Sequence, residues 1–464
     1  MWDKGLNRGT LAWILLVLAG LATAGPTVPA ANQREGKQKP SGGGSSFGPT
    51  IVEVMPTPSS LAPGFDKERV WSGYDDWEPA VAVDPGGAYV YQLTTRYSGP
   101  SVCEDCPFPL IAFRSSADGG NTWGADRSLA ITKKKQNDPQ IAVAQDGTVY
   151  AAWLDQYIPG VKFVKSTNHG DSWSAPIRLT GPDRPPSWSD RPVLAVSADG
   201  RDVYLAFNAS DSYVTSSHNR GATFGDNVKT SNDSRYWFHS AGGVAPNGDV
   251  YFAAADFSQS YLGDSHINVL RSTDRGATWT TWRLDTASQL PRCDWAAGCY
   301  FGFLGSSAGL AINPDGTIMV AYSAGVSPGA PEQIYVRSSA DGEHWSARQQ
   351  ISDPSAAVNS GFPAVASGRK PGEFRVVWQD DRNRSEKAWN TWHRRTSDGG
   401  AAWDAAIRLS DLGSGAPYKK ARGYRFPYGD YLGIAVDAAG TAHFVWGEGE
   451  SYTGPGGTWY TKLN

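Results

Sequence analysis

The chain has little surplus of either charge. Across 464 residues, 42 Lys and Arg face 46 Asp and Glu, for a net charge of -4 and a pI near 6.0. A protein without a basic field is not drawn to nucleic acid, so that class of partner is not expected. Cysteine is scarce: there are four, in two local pairs, Cys103 with Cys106 and Cys293 with Cys299. Two short-loop disulfides are the expectation for an exported chain, and a four-thiolate zinc site is the alternative, disfavoured because the second pair lacks the spacing of a zinc ribbon. No dense acidic loop of EF-hand type occurs, so no cofactor or metal is expected and structural calcium has no support. Long apolar runs are missing as well. The one stretch of note, Leu11 to Leu21, is too short to read as a membrane span.

That stretch reads instead as the core of a secretory signal, with an uncleaved anchor as the alternative. Lys4 and Arg8 precede it and Ala22-Thr23-Ala24 follows as a small-residue cleavage site. No cysteine follows the apolar run, which argues against a lipoprotein. Residues 1–24 are therefore assigned to a signal peptide, 25–47 to a Pro-, Gly- and Ser-rich linker and 48–464 to the folded domain. Secretion is expected, as a monomer with no membrane attachment after cleavage.

Aromatic and glycine residues are abundant. The 19 Trp and 53 Gly suit many short strands joined by tight turns, an all-β composition. One turn recurs six times, starting at Ser116, Ser166, Ser217, Ser272, Ser339 and Thr396, at intervals of 50 to 67 residues. Ser116-Ala117-Asp118-Gly119-Gly120-Asn121-Thr122-Trp123 and Ser272-Thr273-Asp274-Arg275-Gly276-Ala277-Thr278-Trp279 are typical copies. Asp or Asn accepts backbone N–H bonds from residues further on, Gly supplies positive φ, and the aromatic is expected to fold back over the turn as a plug. A fixed period of this length marks a repeat architecture.

These six copies resemble the Asp-box, or bacterial neuraminidase repeat, of the sialidase-like superfamily, over nearly everything after residue 70. The resemblance implies a β-propeller with the repeats on the face away from the ligand site. A second repeated unit, a short run of small apolar residues, occurs seven times: Pro79–Val83, Pro139–Val143, Pro192–Val196, Ala241–Ala245, Ala308–Ile312, Pro363–Ala366 and Leu432–Val436. Small residues suit innermost strands crowded around a channel. The expectation is seven four-stranded blades, with six as the alternative because true sialidases have six. The last unit ends one strand short, and Pro49–Val54 is expected to supply that strand and close the ring.

Loops entering the inner strands, and loops joining second to third strands, share the face opposite the repeats. The resemblance to sialidases implies an acid/base, a tyrosine nucleophile with a glutamate partner and an arginine clamp for a carboxylate, and position on that face offers Asp76, then Tyr431 with Glu448, then Arg96, Arg191 and Arg382 for these roles. Asp138, Asp430 and Tyr428 are further candidate substrate contacts, and His239 is a candidate base. The Arg-Ile-Pro signature of sialidases is absent before the first repeat, and Asp380, Asp381 and Arg382 also read as a rim salt-bridge network.

The resemblance implies a sialidase-like glycoside hydrolase acting on an acidic oligosaccharide or polysaccharide. A second reading is a polysaccharide lyase on a seven-bladed propeller, with His239, Tyr431 and Arg191 handling a uronic acid. The third is a non-catalytic propeller that binds glycan or protein, since fold does not choose among these.

Overall fold

The computed structural model describes residues 69–72, 74–258, 263–289, 306–355, 357–382, 388–410, 416–417, 432–449 and 456–463. The signal and linker assignments, Cys293 with Cys299, and the segment holding Tyr428, Asp430 and Tyr431 lie outside these residues.

Seven antiparallel blades form a ring, and the described residues contain no helix. Their inner strands are Asp75–Val83, Gln136–Val143, Asp190–Val196, Tyr236–Val244, Ala308–Ile312, Ser360–Ser367 and Leu432–Val436. Each packs against the next, and the seventh packs against the first. This is the expected seven-bladed propeller. The fourth position of blade 1 is held only by a bridge between Phe113 and Arg127.

The closing strand differs from the expected one. Arg69–Ser72, rather than Pro49–Val54, pairs antiparallel with Gly456–Leu463 and completes blade 7. Arg69 and Val70 lie opposite Tyr460 and Trp459. A strand only a few residues upstream of the first inner strand reaches that edge with little intervening chain.

All six repeat turns begin on the last residue of a third strand. In the first copy, Ser116 Oγ donates to Asp118 at 2.7 Å and accepts the Gly120 N–H, while Asp118 accepts the Thr122 N–H at 2.8 Å and the Thr122 hydroxyl at 2.6 Å. The aromatic does not simply cover its own turn. Trp173 of blade 2 meets the Phe113 ring of blade 1 edge-on at 5.2 Å, Phe224 of blade 3 meets Phe163 of blade 2 at 4.9 Å, and Trp123 of blade 1 meets Tyr460 of blade 7 at 5.2 Å. The plug therefore seals the seam with the preceding blade. The hydrophobic core is correspondingly divided, each cluster drawing on two consecutive blades.

Polar latches cross the same seams. His169, Arg220 and Arg275, all at positive φ within their turns, reach Asp84, Asp146 and Asp202 in the first hairpin of the preceding blade. The repeat glycine also faces backwards: a Cβ on Gly221, at φ +68°, would run into the Phe163 ring. Gly221→Ala is thus expected to cost about 2–4 kcal/mol, combining backbone strain with overpacking. Gly248→Ala, at φ +92° with open space around it, should cost only about 1 kcal/mol. Equal losses in chemical denaturation would show that the seam contact is not what fixes the glycine.

Candidate functional site

The inner strands do not enter the ring smoothly. In four blades two residues on the inner strand oppose one on its neighbour: Glu78 and Pro79 opposite Thr94, Asp138 and Pro139 opposite Trp153, Arg191 and Pro192 opposite Phe207, and Phe362 and Pro363 opposite Trp378. Glu78, Asp138, Arg191 and Phe362 sit at φ of 55°, 53°, 45° and 56°. Left-handed backbone costs a non-glycine residue about 1–2 kcal/mol, and strain of this kind gathers at functional sites. These bulges lie where the chain enters the inner strands, on the face away from the repeat turns.

Behind them the channel encloses roughly 200 Å³. Its wall is mostly small and apolar, from Pro79-Ala80-Val81 through Ala308-Gly309-Leu310 to Leu432-Gly433-Ile434; among the described residues lining it, Arg191 alone is charged. Gln140, Ser240 and Ser307 are the uncharged polar side chains in this lining.

One arc of the mouth is continuous across blades 1 to 4. The Tyr97 hydroxyl donates to Glu78 Oε1 at 3.3 Å and accepts from Asn137 Nδ2 at 3.0 Å, while the Asp138 N–H donates to Glu78 Oε2 at 3.1 Å. Tyr157 follows: burial, then the charges of Asp190, Asp138 and Glu78, push its hydroxyl well above the usual tyrosine range, so it keeps its proton. Its carbonyl accepts the Ser189 N–H at 3.0 Å, which ties it to the Asp190-Arg191 bulge. The Arg191 guanidinium lies over the Phe238 ring, 5.6 Å from its centre.

His239 lies beside this arc but is wholly buried, with Nε2 2.8 Å from Ser212 Oγ. Burial, reinforced by the Arg191 charge, lowers its pKa to about 3, so the imidazole is neutral. As placed, it belongs to the wall rather than to the surface.

The three candidate arginines do not converge. Arg96 is 1% exposed and grips Asp76, itself fully buried, through Nε and Nη2 at 2.9 and 3.0 Å, with Asp126 on its other side at 2.7 Å. Arg382 grips Asp380 at 2.6 Å and stacks on Trp392, 3.6 Å from the ring centre, so the salt-bridge reading holds there. Only Arg191 lines the channel. Several acids of this face are held by indole N–H groups: Asp75 by Trp77, Asp380 by Trp378, and Glu448 by Trp446, at 2.8 to 2.9 Å.

Placement by face includes Glu78 and Tyr97 without giving either a role, and it omits Tyr157. A usable signal was present: a residue immediately before the proline of an inner strand, in Glu78-Pro79, Asp138-Pro139, Arg191-Pro192 and Phe362-Pro363. Glu332, in blade 5, was passed over too. Its carboxyl is buried, Ser306 Oγ donates to Oε1 at 3.3 Å, and burial raises its pKa to about 8.

No protein-family model and no curated protein matches the sequence. Solved structures do match. A Dyadobacter fermentans protein of unknown function is 16% identical, with a TM-score of 0.50 over 87% of this chain and 100% of that one. An ulvan lyase from a new family of polysaccharide lyases is 12% identical, also at 0.50, over 83% of this chain and 94% of that one. The intramolecular trans-sialidase of Ruminococcus gnavus is 12% identical, at 0.46, over 84% and 94%. The likeness is one of fold, the β-propeller.

Glu332 makes a prediction for pH. Its carboxyl stays protonated in the fold up to about 8 but ionises near the ordinary 4.3 when unfolded, so its contribution is complete below about 4.3 and is lost as pH rises through about 8. Glu332→Gln should flatten this decline, which has a limiting slope of about 1.4 kcal/mol per pH unit. Parallel stability curves for the two proteins across this window would refute the assignment.

Proposed function

We propose that this chain is a carbohydrate-active enzyme, a glycoside hydrolase acting on a carboxylate-bearing glycan at the channel mouth. The observation that carries the reading is the hydrogen-bonded Tyr97–Glu78 pair, beside Asp138 and on the same arc as Arg191. Tyrosine is a weak nucleophile until a carboxylate takes its proton, and Glu78 is the acceptor of that proton. Attack by the Tyr97 oxygen on the anomeric carbon would break the glycosidic bond as Asp138 protonates the leaving oxygen. Water, deprotonated by Asp138, would then release the sugar and return the proton from Glu78 to Tyr97. Arg191 is the proposed partner of the substrate carboxylate.

Tyr431 with Glu448 stays a second proposed pair, in blade 7, with Asp430 and Tyr428 as contacts beside it. Asp76, Arg96 and Arg382 act in this reading by holding the rim. Export is proposed on the signal-like amino terminus and the disulfide between Cys103 and Cys106.

Elimination next to a uronic acid is the second reading. It is favoured by the retained Tyr157 proton, suited to a leaving oxygen, and by a single arginine beside His239. The fold likeness to an ulvan lyase supports it as well.

Turnover of sialosides and of uronate polysaccharides separates the readings, because only elimination creates an unsaturated product that absorbs in the ultraviolet. Under hydrolysis, Tyr97→Phe and Glu78→Gln should each slow turnover about 10²–10⁴-fold, with Tyr431→Phe far less affected. If Tyr431→Phe is inactive and Tyr97→Phe is not, the centre lies in blade 7. An ultraviolet-absorbing product lost in Tyr157→Phe would establish the lyase.

A further inference from the structure

The connection from blade 1 to blade 2 crosses the mouth face radially. It leaves the outer edge at Arg127, bridged to Phe113, and enters the inner strand at Gln136. Its inner end is Lys133-Lys134-Lys135, all exposed. Among the described residues none of the three ammonium groups forms an ion pair. The backbone beneath is fixed: the Thr132 hydroxyl bonds the buried Asp155 at 2.7 Å, the Gln156 N–H donates to the Lys135 carbonyl at 2.8 Å, and the Gln136 N–H donates to the Pro109 carbonyl at 2.8 Å. Three exposed charges therefore sit on a held loop.

The row ends at the proposed centre. Lys135 precedes Asp138 by three residues, roughly 10 Å of extended chain. Gln156, bonded to Lys135, directly precedes Tyr157. Two exposed isoleucines flank the run on the same face, Ile131 at 73% and Ile158 at 45% exposure. Aliphatic surface interleaved with ammonium point charges suits a chain of sugar rings bearing carboxylates or sulfates. It lacks the aromatic platforms on which bases stack, and the net charge of -4 offers no wider field for nucleic acid.

We infer that Lys133, Lys134 and Lys135 hold the distal units of a polyanionic glycan whose reacting unit lies at the mouth, so that the protein prefers polymers to short glycosides. The inference rests on the reading of the mouth as a site for acidic glycan. Calorimetry on the wild type and on the triple Lys133→Gln/Lys134→Gln/Lys135→Gln variant would use polyglucuronate and polysialic acid, each beside its monosaccharide methyl glycoside, at low and high salt.

The advantage of polymer over monosaccharide glycoside should fall on the order of tenfold in the variant, the sum of three exposed charge contacts, and its salt dependence should shrink. An unchanged polymer-to-monomer ratio overturns the inference and leaves the mouth reading standing. A single-stranded DNA of matched charge that competes as well as the polymer overturns it in favour of a nucleic-acid surface. A wild type that binds neither polymer nor monosaccharide removes the mouth reading and this one together.

Discussion

The structure depends on the seam between consecutive blades. A single blade is a small twisted sheet that cannot bury its own faces, and stability comes from stacking it on the next. Six of the seams are sealed by parts of a repeat turn: an aromatic that reaches the preceding blade, a glycine that lets a side chain of that blade approach the backbone, and, in two turns, an arginine that crosses to an aspartate. The Ser-Asp hydrogen bonds inside the turn hold these parts in place. A turn that seems a local matter is thereby the joint of a ring.

Ring closure follows from the same constraint. The third strand of blade 7, Gly456–Leu463, would present an open edge without a partner. Arg69–Ser72 covers that edge, while Trp123 from blade 1 packs on Tyr460 of blade 7. Amino- and carboxy-terminal parts of the domain are thus held in one sheet, next to blade 1, where Thr94 of its second strand hydrogen-bonds Thr458 at 2.9 Å. Blade 1, which carries the Tyr97–Glu78 pair, is anchored by this closure.

The ring and its seven inner strands were legible in the sequence because repetition supplies its own controls: small residues recurred in phase, and so did the turns. The closing strand was not. Pro49–Val54 has stronger β propensity than Arg69–Ser72, yet pairing is decided by register and reach, which propensity does not encode. The site was half legible for a related reason. Asp76 and Arg96 lie on the mouth face, but they are direct cross-strand partners and neutralise one another below the surface. Asp380 and Arg382, two residues apart, do the same. Without a register, a buried ion pair and a substrate clamp look alike, as both are an acid and an arginine near a strand end.

The bulges reconcile a uniform fold with a particular function. Seven strands converging on one channel crowd each other, and small residues relieve the crowding inside it. At the mouth, four strands insert an extra residue at positive φ, held by the proline that follows and by the neighbouring strand. The backbone at these four places is nearly the same, whereas the side chains are Glu78, Asp138, Arg191 and Phe362. One slot per blade therefore presents a carboxylate, a second carboxylate, a guanidinium and an aromatic ring around a common opening. Changing a side chain there alters the chemistry of the mouth while leaving the repeat turns intact. Charge elsewhere on the face is largely consumed by pairing, so these strained positions, rather than the richest clusters of Asp and Arg, carry the candidate groups of the mouth.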